Sequence, residues 1–105
     1  MAMASFTGAA NGTTVEVATK KPFAVLLEEN PTTGYRWHLE TDPGIRVISS
    51  DYEAAAGIGV GGGGTRRFVL TAEKPGEWQV RAKLWRQWLG DASITRRFEL
   101  AVRAR

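Results

Sequence analysis

An all-β fold, an immunoglobulin-like antiparallel β-sandwich of about seven strands, follows from three features of the sequence. Apolar and polar residues alternate with a period of two along most of the chain. Turn formers punctuate these runs every 8–14 residues. No stretch of ten residues carries the 3.6-residue period of a helix. Seven short antiparallel strands in a chain of 105 residues fit a sandwich of this kind.

The strands follow in order. Val15 and Val17 alternate with Thr14 and Glu16 in a strand near 13–18. Phe23, Val25 and Leu27 share one parity in 22–29. Trp37 and Leu39 flank His38 in 36–41, and Trp37 sits on the third of the seven strands, where such sandwiches often bury a Trp. Ile45, Val47 and Ser49 form a weaker run in 45–51, with Ile48 on the other face. Phe68 and Leu70 mark 65–71. Trp78, Val80, Ala82 and Leu84 point inward along 77–85, which sends Trp85 outward. Ile94, Phe98, Leu100 and Val102 share the parity of 93–103. Residues 1–12 read as a flexible N-terminal segment, and 13–105 as a single domain. A chain of about this size buries enough surface for one core without staples.

The connections sort into two sets. Those at Lys20-Lys21-Pro22, Asp42-Pro43-Gly44 and Lys74-Pro75-Gly76 are short and built of ordinary turn residues. Those at Asn30–Tyr35, Glu53–Gly64 and Arg86–Asp91 are longer and compositionally odd. Connections in an antiparallel sandwich alternate between its two ends, so the three odd loops share one end. A plain scaffold with one decorated end is a common way to build a binding surface.

Each odd loop carries its own chemistry. In Asn30-Pro31-Thr32-Thr33-Gly34-Tyr35, Pro31 restricts Asn30 to extended backbone, Gly34 permits a left-handed turn and the two Thr are stiff. The same residues also suit a plain hairpin turn. Half of the 12 Gly fall within Gly57–Gly64, and Gly57, Gly59 and Gly62 match G-x-G-x-x-G. A dinucleotide site needs a helix after that motif, whereas a β run follows here. Gly63 stands where a Walker loop needs Lys. The third loop offers Arg86, Gln87 and Trp88, and Trp and Arg are the residue types most enriched at binding hot spots.

Composition removes whole classes of chemistry. The absence of Cys excludes a disulfide framework, a thiolate metal site and a cysteine nucleophile. The single His38 excludes a two-His metal site, and no Ser sits in a nucleophile elbow. The chain therefore reads as a non-enzyme without metal or cofactor. No window approaches the roughly 18 apolar residues of a membrane span, and Met1–Ser5 lacks the basic residues of a secretory signal. The formal net charge of +3 is uneven, with a net of −2 over residues 1–52 and +5 over 53–105. A basic half steers acidic partners, or simply forms a solvated strand face. Basic residues beside Trp85 and Trp88 raise single-stranded nucleic acid as a ligand, but no RNP or KH motif accompanies them. Trp85 and Trp88 as a stacking platform on a carbohydrate-binding or adhesion module form the other alternative.

Three motifs carry a family resemblance. Asn30-Pro-Thr-Thr-Gly-Tyr-Arg-Trp37, the glycine run Gly59-Val-Gly-Gly-Gly-Gly-Thr65 before Phe68, and Arg86-Gln87-Trp88 resemble those of the chagasin-type inhibitors of cysteine peptidases. The likeness extends from about Val15 to Val102. The family pattern is N-P-[ST]-T-G-[YF]-x-W, then G-x-G-G, then R-P-W, so Gln87 departs by replacing Pro. The resemblance implies an immunoglobulin-like inhibitor domain that blocks papain-like (clan CA) peptidases reversibly and without covalent chemistry. It implies that Asn30, Pro31, Thr32, Thr33, Gly34 and Tyr35 enter the active-site cleft, with Gly59, Val60, Gly61 and Gly62 on one side. Arg86, Gln87 and Trp88 would grip the other. The implied partner is a papain-like cysteine peptidase bound by a monomer, with no nucleic acid or membrane involved.

Overall fold

The computed structural model describes residues 3–54 and 63–105. Eight strands are found among them: β1 (Ala4–Thr7), β2 (Thr13–Val17), β3 (Phe23–Glu29), β4 (Arg36–Thr41), β5 (Ile45–Ala54), β6 (Gly64–Ala72), β7 (Gly76–Trp85) and β8 (Arg96–Ala104). They form two four-stranded sheets, in the orders β1-β3-β6-β5 and β2-β8-β7-β4. Seven of the eight coincide with the runs of alternating apolar residues. Alternation locates them because each strand has one face against the core and one toward solvent.

The extra strand is β1, which lies inside the segment read as flexible. It runs parallel to β3, with Phe6 opposite Val25, and the Phe6 ring meets Phe23 edge-on at 6.0 Å. With only Ala4 and Phe6 apolar in four residues, the run is too short to establish a period. The pairing is also not purely antiparallel, since β2 runs parallel to β8. The reason is topological. Each connection reverses the chain, so odd strands run toward the loop-bearing end and even strands away from it. Neighbours of like parity, β1 with β3 and β2 with β8, must then be parallel.

Phe23, Leu70, Val25, Val80, Phe98, Leu100 and Val102 form the centre of the core, each with less than 2% exposure, and Trp37 and Ile45 are buried around them. One expectation on β5 changes. Ile45 is buried, but a bulge interrupts the pairing of β5 with β6 between Val47 and Ser49. The extra residue breaks the inward parity, and Val47 and Ile48 are both exposed.

At the loop-bearing end the two sheets are tied together by a buried charge. The Glu29 carboxylate, fully removed from solvent, accepts the Trp37 backbone N–H at 2.8 Å through Oε1. Through Oε2 it accepts Arg66 Nε at 3.1 Å and Nη2 at 2.8 Å. Arg66 also lies 5.7 Å from the Tyr52 ring centroid. The Trp37 indole N–H donates to the Glu28 carbonyl at 2.8 Å. The last two residues of β3 therefore hold β4, in the opposite sheet, and β6 beside it.

The packing sets the expected cost of four substitutions. Phe98→Ala should lower the unfolding free energy by about 3–5 kcal/mol in urea titrations, the range for truncating a buried ring. Ile48→Thr at the bulge should stay within about 0.5 kcal/mol. Glu29→Ala leaves Arg66 without its carboxylate and the Trp37 N–H without an acceptor, and should cost about 3–5 kcal/mol. Glu29→Gln should cost less, because its amide oxygen still accepts from Trp37.

Candidate functional site

The connections that leave β3, β5 and β7 open at the same end of the sandwich, because these three strands share one direction. The Asn30–Tyr35 and Arg86–Asp91 loops therefore lie at one end, as their alternation along the chain predicts. Gly59, Val60, Gly61 and Gly62 lie outside the described residues. The strands that flank them reach this end too, and Gly64 pairs with both Glu29 and Ala54. A Cβ built on Gly63 would stand 3.7 Å from that of Asn30, so the exit of the second loop abuts the first.

The first loop is a single turn of 3-10 helix, Pro31–Thr33, capped at both ends. Asn30 has extended backbone (φ −121°, ψ 98°), the geometry that a following Pro imposes. Its Oδ1 accepts the Thr32 N–H at 3.1 Å and the Thr32 hydroxyl at 2.6 Å. Its carbonyl accepts the Thr33 hydroxyl at 2.7 Å. Gly34 closes the turn in the left-handed region (φ 82°), its N–H donating to the Pro31 carbonyl at 3.0 Å. Five consecutive residues, Asn30–Gly34, thus bond among themselves, and Thr32 and Thr33 stand exposed at the tip.

The third loop is built around Arg86 and Ser93. The Arg86 N–H donates to Ser93 Oγ at 2.9 Å, and the Ser93 hydroxyl reaches the Gly90 carbonyl at 2.7 Å. The Thr95 N–H donates to the Leu84 carbonyl at 2.9 Å and closes the base. Between these ties a 3-10 stretch runs from Gln87 to Ser93, kinked at Gly90 (φ 68°, ψ −161°). Gln87 is exposed, and a loop without Pro at that position is held by side-chain bonds from Ser93 instead. Trp88 is 70% exposed and Leu89 55%, a pair of large apolar side chains with little cover.

Arg86 joins the two loops. Its Nε and Nη2 donate to the Thr33 carbonyl at 3.2 and 2.9 Å, and its guanidinium lies 4.5 Å over the Tyr35 ring. Trp88 stands against Gly34, with its Cη2 2.9 Å from where a Cβ would be. Any larger residue at 34 would both strain the turn and collide with the indole. The predicted residues Asn30–Tyr35 and Arg86–Trp88 therefore form one connected surface. The residues that sequence reasoning missed are Glu29 and Arg66 beneath it, Ser93 within the third loop, and Leu89 at its tip.

Trp85 has a different place. It faces outward, as its parity predicts, but it is half-buried, with the Lys83 ammonium 3.8 Å over its ring and the His38 ring tilted against it at 5.6 Å. It makes no ring contact with Trp88 among the described residues, so the two indoles do not form the paired platform of the carbohydrate-binding alternative. Among the described residues no group of three His, Asp or Glu could hold a metal ion.

Comparison with known proteins bears on the family and the fold. The chain is 29% identical over 104 residues to chagasin of Trypanosoma cruzi, covering 93% of this chain and 94% of the relative. It is 33% identical over 95 residues to amoebiasin-1 of Entamoeba histolytica, covering 88% and 90%. The crystal structure of a cysteine protease inhibitor from Entamoeba histolytica superposes with a TM-score of 0.86 at 19% identity, over 98% of this chain and 95% of that one, and shares the fold. The profile of the Chagasin family peptidase inhibitor I42 matches residues 16–102, and the chain belongs to that family of cysteine peptidase inhibitors.

Proposed function

We propose that this chain inhibits papain-like (clan CA) cysteine peptidases reversibly, by wedging the Asn30–Tyr35 loop into the active-site cleft. The family is one of peptidase inhibitors rather than enzymes. The observation that carries the wedge reading is the state of the first loop. It is a self-bonded turn with Thr32 and Thr33 at its tip, clamped below by Glu29 and laterally by Arg86.

The physical logic concerns what an inhibitor must avoid. A substrate lays an extended segment across the cleft and offers a carbonyl to the catalytic thiolate. Here the Asn30, Pro31 and Thr33 carbonyls already accept hydrogen bonds from Thr33, Gly34 and Arg86. They are turned into the loop, and reaching attack geometry would break those bonds. Thr32 and Thr33 have small side chains, so the turn can approach closely. A loop that is ordered before binding also loses little entropy on binding.

The remaining residues supply affinity. Trp88 and Leu89 offer exposed apolar surface beside the turn, suited to the apolar rim of a cleft. Gly59, Val60, Gly61 and Gly62 fall to the opposite flank in this reading, where bare backbone pairs with an extended edge of the enzyme. Protease–inhibitor contacts of this type bury about 800 Å² per partner. The essential thiol then belongs to the target, which suits a chain that contains no Cys.

The direct test is a titration of papain with a fluorogenic substrate. Competitive inhibition, relieved on dilution with the inhibitor recovered intact, is the expected result. Complete activity at micromolar inhibitor would remove the reading. Trp88→Ala should raise the inhibition constant about 30-fold, corresponding to about 2 kcal/mol for an exposed aromatic anchor. Thr32→Trp should weaken inhibition at least as much by obstructing the cleft, while the loss of its exposed hydroxyl bond to Asn30 lowers the unfolding free energy in urea by no more than about 0.5 kcal/mol. Arg86→Ala should weaken inhibition without touching the tip, and Arg86→Lys should not restore it, because an ammonium cannot donate two bonds to the Thr33 carbonyl from a planar fork.

A further inference from the structure

The uneven charge of the sequence has a definite location on the fold. On the outer face of the sheet β2-β8-β7-β4, the register sets side chains in rows across the strands. His38, Lys83 and Arg97 share one row. Arg36 and Trp85 form the next row toward the loops, and Glu40, Arg81 and Glu99 the next row away from them.

The rows differ in how their charges are compensated. Away from the loops the cations have acidic partners: Arg81 with Asp42 at 3.7 Å, Arg103 with Glu77 at 3.9 Å, Arg105 with Glu16 at 2.8 Å. Near the loops, Arg36 and Arg97 are exposed and make no ion pair among the described residues. Lys83 is shared between Asp91, at 3.2 Å, and the face of Trp85. Arg96, exposed at the head of β8, adds a further cation at the same end. The sheet face is thus segregated, with its balanced half at the far end and its cationic half contiguous with the Arg86–Trp88 loop.

We propose that the cations bordering the Arg86–Trp88 loop, Arg36 and Arg97 on this face and Arg96 at the head of β8, steer the inhibitor onto peptidases that carry acidic residues beside the cleft. The proposal rests on the inhibitory reading above and adds a target class to it. Exposed charges bordering a binding surface act before contact, over distances of about a Debye length, and chiefly raise the association rate. Arg36, Arg96 and Arg97, which make no ion pair among the described residues, border a turn of neutral residues and are arranged for that task. Asn30–Tyr35 contains no charged side chain, so the turn itself supplies no long-range attraction.

The test measures association and dissociation rates separately by stopped flow, for two papain-like peptidases chosen as acidic and basic at the assay pH. For the acidic enzyme the association rate should fall about tenfold from low to high ionic strength. The Arg36→Glu/Arg97→Glu variant should lose about tenfold in association rate at low salt, keep its dissociation rate, and flatten the salt response. For the basic enzyme, salt and the variant should both act in the opposite sense. Tight inhibition with an association rate indifferent to salt and to the variant would overturn steering and leave the inhibitory reading in place. A variant effect confined to dissociation would also overturn it, by making the patch a contact surface. Salt-sensitive binding of a single-stranded oligonucleotide, lost in the variant while peptidase kinetics stay unchanged, would assign the patch to nucleic acid. No inhibition of either enzyme would remove both readings together. The salt dependence of the unaltered protein carries the test by itself should the variant fold poorly.

Discussion

The two strands that carry the first loop belong to different sheets, so no ladder of backbone hydrogen bonds holds its ends together; the buried Glu29 carboxylate does. A hairpin within one sheet would have its turn fixed by the register of its strands. Here β3 and β4 face each other across the core. Glu29, the last residue of β3, spans the gap by accepting the N–H of Trp37 near the start of β4. Burying a carboxylate is costly unless it is paired and hydrogen-bonded, and Arg66 from the adjacent β6 supplies both. The position of the turn above therefore depends on one charge from each of two neighbouring strands. The apolar core beneath sets the distance between the sheets, and the carboxylate sets the alignment at the rim.

Arg86 repeats this device one layer higher. Its guanidinium is shared between the Thr33 carbonyl and the Tyr35 ring, and its backbone N–H is held by Ser93. The first and third loops are consequently joined into one surface. The two loops differ in character: the turn of Asn30–Tyr35 is polar and bonded within itself, while Trp88 and Leu89 are apolar and exposed. In the inhibitory reading, these uncovered apolar side chains at the tip of an otherwise well-packed sandwich are the adhesive part of the surface. Gly34 lets both features coexist, because a side chain there would occupy the space of the Trp88 ring.

The sandwich was readable from alternation and punctuation, since seven strands have clear inward and outward faces. What escaped were features whose partners are remote in sequence or whose signal is one residue long. Strand β1 contributes Phe6 alone to the core and pairs in parallel, a geometry that no turn signal announces. The bulge at Ile48 is a local departure from a period that the flanking residues obey. Glu29 looked like one more polar residue at the end of a strand; its partner Arg66 lies 37 positions away. Arg86 and Thr33 are 53 apart, so their contact is set by the fold and not by local composition. The site residues themselves were legible in part from loop chemistry and in part from their likeness to a family. Trp85 shows the limit of the former, because its outward parity was right, yet Lys83 and His38 cover it.

The central claim is that this end of the sandwich presents a preformed turn to a peptidase cleft. A crystal structure of the chain bound to papain tests it most directly. The expected structure has Thr32 and Thr33 beside the catalytic thiol, Trp88 against the rim of the cleft, and the bonds from Arg86 to Thr33 and from Glu29 to Trp37 unchanged from the free protein. A complex in which the peptidase contacts a sheet face, leaving Asn30–Tyr35 in solvent, would contradict it, as would a turn that unfolds into an extended strand within the cleft.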